Sequence, residues 1–330
     1  MSSNIIPQSF STEDVFQGSE DDVIGSTGNR LEGTFRIIIG PARAEANIHT
    51  VMNILGISAS GLVFLPAIEG NIFLSEEETE CGTALIELGS GVSSVSIYHG
   101  GLLKYFAAIP FGGDTLSNDV KIEGSIGFNL ADNIKKAYGN CLTDRLESMA
   151  DKVLIIDDPE AGTSREMPVK FLSQVIAARQ KEIIDALLYH IQKSGFADRL
   201  RGGIVLIGGG ALLGGLGPML RDISGYNVRI AKPHCSRIIT EQWPVVSSVS
   251  HCSSLALIAV SRALEQAPAS VVDQTPKHNP LAEHANEQGT QIREGETTGE
   301  LFTDVDQLID TKTSPEKPTK KEKNPAVKSK

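Results

Sequence analysis

Positive charge is in short supply in this chain. Lysine and arginine total 30 against 41 aspartates and glutamates, a net charge of −11 with a pI near 5.2. Binding a nucleic-acid backbone requires a basic face, and none is evident in the part that reads as folded, which excludes that class of partner. Cysteines number four, Cys81, Cys141, Cys235 and Cys252, with no CxxC spacing. That excludes a disulfide framework and fits a reducing cytosol. The pairs His234-Cys235 and His251-Cys252 lack the ligand spacing of a zinc site. Aromatics are few, at 5%. No run of about eighteen apolar residues exists, and the first residues lack a basic then apolar leader, so the chain reads as soluble or peripherally attached. Its partners should be proteins or small molecules.

With 330 residues and 40% hydrophobic composition, there is material for two compact domains. The most informative stretch is 84–113, ALIELGSGVSSVSIYHGGLLKYFAAIPFGG. A short apolar run at 84–88 stops at Gly89-Ser90-Gly91, where positive φ is cheap and the chain must turn. Val95 and Ile97 then alternate with Ser94, Ser96 and Tyr98 at the two-residue period of a strand. After the second turn signal, Gly100-Gly101, residues 102–109 are apolar again, giving a three-strand meander. A glycine turn between two strands has no helix N-terminus to offer an anion, so it would hold a phosphate with its own backbone N–H groups. Glu87 would then aim an acid at phosphate-bound Mg²⁺ through water. Taken alone, a Gly-Ser-Gly hairpin with an acid nearby is more often ordinary turn chemistry.

Before the meander, a strand is expected at 34–39, an amphipathic helix at 42–55 using Ala46, Val51, Ile54 and Leu55 with Gly56 as C-cap, and a second strand at 61–65. A small-residue segment at 66–71 and an acidic loop at 75–80 follow. After the meander, Gly112-Gly113-Asp114-Thr115 with Ser117 and Asp119 reads as a capped helix start. A short helix at 129–138 takes Asn129 as N-cap and Asp132 as a partial capping box, with Lys135 and Lys136 on a solvated face near its negative end. Residues 171–193 carry apolar positions three and four apart and read as a core helix. Residues 203–207 form a fully apolar strand ending in Gly208-Gly209-Gly210, where a ligand can approach the backbone or the chain simply turns tightly into a helix. A helix at 253–263 closes the folded part, and from Pro268 the composition predicts disorder.

In this order, the stretches 86–120, 133–142 (NIKKAYGNCL), 203–220 (GIVLIGGGALLGGLGPML) and 227–233 (NVRIAKP) resemble the actin-like ATPase superfamily, and within it the FtsA family of bacterial division proteins. The resemblance runs from about Asn4 to Ala263. It implies an α/β, actin-like (ribonuclease H-like) fold: residues 1–78 as a partial domain 1 with a remnant of the family's inserted SHS2 subdomain, 79–266 as a complete domain 2, and 267–330 as a disordered tail. It also implies ATP and Mg²⁺ as cofactors. Glu87, Gly89, Ser90 and Gly91 would form the phosphate loop, with Glu87 the indirect Mg²⁺ partner; Asp132 and Lys135 would approach the nucleoside, and Gly208, Gly209 and Gly210 the adenosine. Asp119 matches an acid of the connector between domains and is not assigned a catalytic role.

The family carries an earlier phosphate hairpin that this chain does not show upstream of 84. Within the loop it has aspartate, glycine and threonine where Glu87, Ser90 and Val92 stand. A longer acid and a side chain without a hydroxyl favour nucleotide binding with weak or no hydrolysis. The implied role is a scaffold joining FtsZ to the membrane and the division machinery. Its partners would be FtsZ, further copies of itself and other division proteins, on the cytoplasmic face of the inner membrane at the septum, with peripheral membrane contact through the tail. Two alternatives stay open: an active ATPase or kinase of the same superfold, and a pilus-assembly or rod-shape relative.

Overall fold

The computed structural model describes residues 3–59, 61–143, 151–158, 163–232 and 248–266. The chain divides into two units, Met1–Val272 and Asp273–Lys330. The expected disordered tail and the His234-Cys235 pair lie outside the described residues.

A five-stranded sheet organises the first unit. β3 (Thr83–Leu88), β4 (Ser93–His99) and β5 (Leu102–Ile109) form the expected antiparallel meander, with Leu88 opposite Ser93 and His99 opposite Leu102. Gly100 and Gly101 both take positive φ, 59° and 68°, which a two-residue hairpin needs to match the strand twist. On its other side β3 pairs in parallel with β8 (Gly203–Ile207), and β8 pairs in parallel with β9 (Val228–Ile230), giving the order β5-β4-β3-β8-β9. A parallel neighbour needs a crossover. Here α5 (Gly113–Gly124), α6 (Phe128–Tyr138) and α7 (Val169–Lys193) supply it, and α8 (Leu216–Ser224) connects β8 to β9. The hairpin β6 (Val153–Asp158) and β7 (Thr163–Pro168) leads into α7.

The two faces of the sheet carry separate cores. Ala84, Ile86, Leu88, Val95 and Ile97 pack under α5, α6 and α7, meeting Leu172, Ile176, Ile184, Leu187 and Ile191 at helical spacing on α7. Leu85, Val205 and Ile207 face the other way, against Phe73 of α3 (Pro66–Phe73) and Leu255 of α9 (Cys252–Gln266). Each fully buried leucine or isoleucine here contributes about 1.5–3 kcal/mol of transfer free energy. Glu87 shares the parity of Leu85, so its side chain belongs to the α3/α9 face, not to the face that Leu88 covers.

Ahead of this lies a smaller assembly. β1 (Ser3–Ser11) pairs antiparallel with β2 (Glu32–Ile39), a bulge between Pro7 and Ser9 accommodating the proline, and Phe10 meets Phe35 edge to face. α1 (Glu20–Val23) and α2 (Ala42–Ile54) complete it, and no residue of α2 is buried.

Three local expectations are corrected. Residues 61–64 pair with no strand and lead into α3, whose first helical residue is Pro66, a position where a missing N–H costs nothing. Residues 75–80 are not a loop: Ser75 caps α4 (Glu76–Cys81), its Oγ accepting from the Glu78 N–H at 3.1 Å while the Glu78 carboxylate accepts from the Ser75 N–H at 2.9 Å. Glu78 also takes a bidentate pair from Arg229 on β9, at 2.8 and 2.6 Å. Finally, the N-cap of α6 is Gly127, two residues before the expected Asn129, so Asn129 is inside the helix and Asp132 is free for other work.

Candidate functional site

The parallel strands β3 and β8 both end in glycine turns at the same edge of the sheet, and carboxyl ends of neighbouring parallel strands are where open α/β sheets bind ligands. Gly208 has φ 87°, and a Cβ there would lie 2.4 Å from the Leu88 carbonyl oxygen; a Cβ on Gly210 would lie 2.8 Å from the Leu88 Cβ. Both are glycine because the end of β3 presses on them. Gly209 differs, since its nearest neighbour on that side is Ser250 at 3.9 Å. A cavity of about 460 Å³ opens beside these turns, lined by Gly89, Ser90, Gly209 and Gly210 together with residues of α5, α6 and α7.

The β3–β4 loop is tied to α5. The Gly89 and Ser90 carbonyls accept from the Gly113 and Asp114 N–H groups at 2.9 and 2.8 Å, and Gly112 permits the approach, because a Cβ there would sit 2.4 Å from the Ser90 oxygen. The Gly89 N–H donates to the Val92 carbonyl at 3.0 Å, whereas those of Ser90 and Gly91 have no acceptor among the described residues. Ser90 lines the cavity; Gly91 does not.

Asp132 and Lys135 line the same cavity. Lys135 is 9% exposed, not part of a solvated face, and its ammonium donates to the Gly113 carbonyl (2.8 Å), to Ser117 Oγ (2.7 Å) and to Asp132 Oδ1 (2.8 Å). An ammonium has three protons, so all are committed within the protein. Ser117 donates to Asp132 Oδ1 at 2.9 Å, and the exposed Lys136 reaches Oδ2 at 2.5 Å. Burial pushes the Asp132 carboxyl up, but the hydrogen bonds from Lys135, Lys136 and Ser117 and the Lys135 charge outweigh it and hold the group well below the usual carboxylate range. Asp119 grips Arg179 of α7 at 2.6 and 3.2 Å, a tie between helices.

Two polar atoms at the cavity went unread in the sequence. Ser93 is fully buried and Gln180 is 4% exposed; Ser93 Oγ and Gln180 Nε2 have no hydrogen-bond partner, and both residues line the cavity. A buried orphan donor is costly, which makes it a natural place for a ligand atom. Gln180 could have been found, because it interrupts the apolar stripe of α7 between Ile176 and Ile184, four residues from each.

Glu87, Gly91 and Gly208 do not line the cavity. The Glu87 carboxylate accepts from Cys252 Sγ at 3.2 Å and from Ser253 Oγ at 3.3 Å on α9. Close by, Glu69 of α3 is 1% exposed, and burial together with the Glu87 charge raises its carboxyl to about 8. Burial and Glu87 likewise push the Cys252 thiol up to about 12.

The family model for cell division protein FtsA matches residues 84–256, just over half of the chain and every residue that lines the cavity. The chain belongs to the FtsA family. It is 31% identical to FtsA of Borreliella burgdorferi over 232 residues (70% of this chain, 55% of that one), and 31% identical to FtsA of Neisseria meningitidis over 215 residues (64% and 50%). Against FtsA of Bacillus subtilis the identity is 27% over 233 residues (70% and 51%). The chain thus spans about half the length of the curated relatives it matches. Among solved structures it is similar to the PilM–PilN type IV pilus biogenesis complex (TM-score 0.49, 14% identity, 78% of this chain and 66% of that) and to MreB5 of Spiroplasma citri bound to ADP (TM-score 0.45, 16% identity, 80% and 91%). Family membership carries the actin-like fold expected from the sequence, and the five-stranded mixed sheet is the part of it described above. Among the described residues, no helix is long and apolar enough to cross a membrane.

The donor set at the cavity fits a nucleotide better than it fits the accompanying cation. Free N–H of Ser90, the orphan Ser93 hydroxyl and the orphan Gln180 amide suit phosphate and sugar oxygens. The acid expected to orient Mg²⁺ is turned to the α3/α9 face, where it already accepts two hydrogen bonds.

Proposed function

We propose that this FtsA-family chain binds an adenine nucleotide in the 460 Å³ cavity and hydrolyses it weakly or not at all, serving as a scaffold that links FtsZ to the division machinery at the cytoplasmic membrane face. The observation that carries this reading is the meeting of the two glycine turns at one cavity with unpartnered donors on its wall. Ser90 receives phosphate at its free N–H, Ser93 and Gln180 donate to ligand oxygens, and the open side of Gly209 admits the nucleoside. Lys135 and Asp132 shape the wall and fix α6 to α5, since their charges are satisfied by each other. A bound nucleotide would supply phosphate charge for these donors, and Mg²⁺ if it accompanies it. Weak hydrolysis follows from the lack of a carboxylate directed at the phosphate from Glu87, and from Val92, which has no hydroxyl to offer. On this reading residues 1–78 are a partial domain 1 and 79–266 domain 2.

Titration of the purified chain with ATP, with and without Mg²⁺, followed by phosphate release and co-sedimentation with FtsZ, tests this. Gln180→Leu should weaken nucleotide binding about five- to tenfold, the worth of one hydrogen bond of about 1 kcal/mol, without loss of thermal stability. Turnover equal to that of an intact actin-like ATPase overturns the weak-hydrolysis part, and undiminished affinity in Gln180→Leu overturns the site.

A further inference from the structure

On the sheet face opposite the nucleotide cavity, three side chains from three elements converge. One ligand atom each from Glu69 on α3, Glu87 on β3 and Cys252 at the start of α9 lie within 4.8 Å of one another. Glu69 is 1% exposed, and its Oε1 has no hydrogen-bond partner. A carboxyl taken out of water, with an oxygen left bare beside a second carboxylate, is neutralised either by holding its proton or by a bound cation, and the thiol beside the two acids supplies the soft donor that a proton does not call for. Among the described residues no lysine, arginine or histidine side chain forms an ion pair with either acid.

We infer that Glu69, Glu87 and Cys252 form a structural site for a divalent ion of the zinc class. The donor chemistry selects the ion. Two carboxylate oxygens and one sulfur suit a borderline ion with tetrahedral preference, whereas Mg²⁺ and Ca²⁺ take oxygen ligands in larger number. With zinc–sulfur bonds of about 2.3 Å and zinc–oxygen bonds of about 2.0–2.2 Å, tetrahedral donors stand about 3.3–3.7 Å apart, so the three groups need to close in by at most about 1.5 Å. Cys252 Sγ and Ser253 Oγ already point at Glu87 Oε1, at 3.2 and 3.3 Å. On metal binding the Cys252 thiol and the Glu69 carboxyl each release a proton to solvent, the thiolate and the two carboxylates take three positions, and Ser253 or a water takes the fourth. The site would clamp α3 and α9 to the end of β3. Leu88 and Gly89 follow Glu87, and Ser250 precedes Cys252 by two residues; all three line the nucleotide cavity, so the ion would brace its floor from behind.

The test uses the full chain, stripped with a chelator and titrated with Zn²⁺ or Co²⁺ alone, with no nucleotide present. One equivalent of Co²⁺ should give a sulfur-to-metal charge-transfer band and tetrahedral visible bands. Zn²⁺ should raise Tm. Cys252→Ser should abolish the charge-transfer band, and Glu69→Gln, nearly the same shape and checked for folding by circular dichroism, should lower Zn²⁺ affinity at least tenfold. The inference is overturned if the wild-type chain takes up no ion, if Cys252→Ser keeps the band because another cysteine supplies it, or if Glu69→Gln binds Zn²⁺ as well as wild type. A Glu69→Gln chain whose Tm rises while wild type ignores Zn²⁺ would mean that a shared proton neutralises the two acids, and also overturns it.

Discussion

The β1–β2–α2 assembly and the five-stranded sheet are written in the same kind of sequence and meet opposite fates. Ile37, Ile38 and Ile39 on β2 form as apolar a run as Val205, Leu206 and Ile207 on β8. Yet Ile37 and Ile39 are 56% and 67% exposed, whereas all five residues of β8 are buried. The helices repeat the contrast. α7 buries Ile176, Ile183, Ile184 and Leu187, while on α2 Val51 and Ile54 are 55% and 79% exposed. Apolar periodicity states which face a segment wants covered; only neighbours in space decide whether it is.

Mutation can break this comparison, and the largest effect belongs to the sheet. Leu206→Ala should cost about 2–5 kcal/mol in urea unfolding, since it opens a cavity between packed layers, whereas Ile54→Ala should change stability by no more than about 0.5 kcal/mol. Equal losses would mean that α2 is covered in solution. Next is Asp132→Asn, which leaves the Lys135 ammonium buried without its counter-charge and should cost about 3 kcal/mol at neutral pH. The same variant sharpens the acid limb. A carboxyl held below its unfolded value contributes stability that is complete above about pH 4 and is lost as pH falls towards the folded value. The wild-type chain should therefore lose stability through that window more steeply than Asp132→Asn, as read by unfolding midpoints measured from pH 6 downward. The smallest and most local comparison is between adjacent glycines. Gly208, at φ 87° and ψ 166°, occupies a region essentially closed to side chains, so Gly208→Ala should lose about 1–3 kcal/mol. Gly209→Ala should leave stability unchanged and lower nucleotide affinity, because the added methyl enters the cavity wall.

Much of the sheet was legible. The meander, β8 and α7 came from apolar runs bounded by glycines and from three- and four-residue spacing, signals that tertiary contacts reinforced. What was missed has definite causes. Residues 61–65 look like a strand because Val63, Phe64 and Leu65 are consecutive, but with no edge to pair they serve as the approach to α3. The Ser75-to-Glu78 capping box was present in the sequence and was masked by the acidic composition around it. At the site, the glycine turns could be read because glycine reports backbone constraint, and both Gly208 and Gly210 turn out to be pressed by Leu88. The direction of Glu87 was available from the alternation of β3, in which Ile86 and Leu88 take one face and Glu87 the other. Ser93 and Gln180 were harder: a lone hydroxyl or amide in an apolar pattern carries no sign of whether a partner waits for it.

The carbonyls of Gly89 and Ser90 start the first turn of α5, and Asp119, further along that helix, holds Arg179 on α7. The loop at the mouth of the cavity and the long helix at its back are therefore two ends of one mechanical train. Whatever displaces the loop must either unfasten the first turn of α5 or carry the helix with it, so news of occupancy has a rigid route away from the pocket.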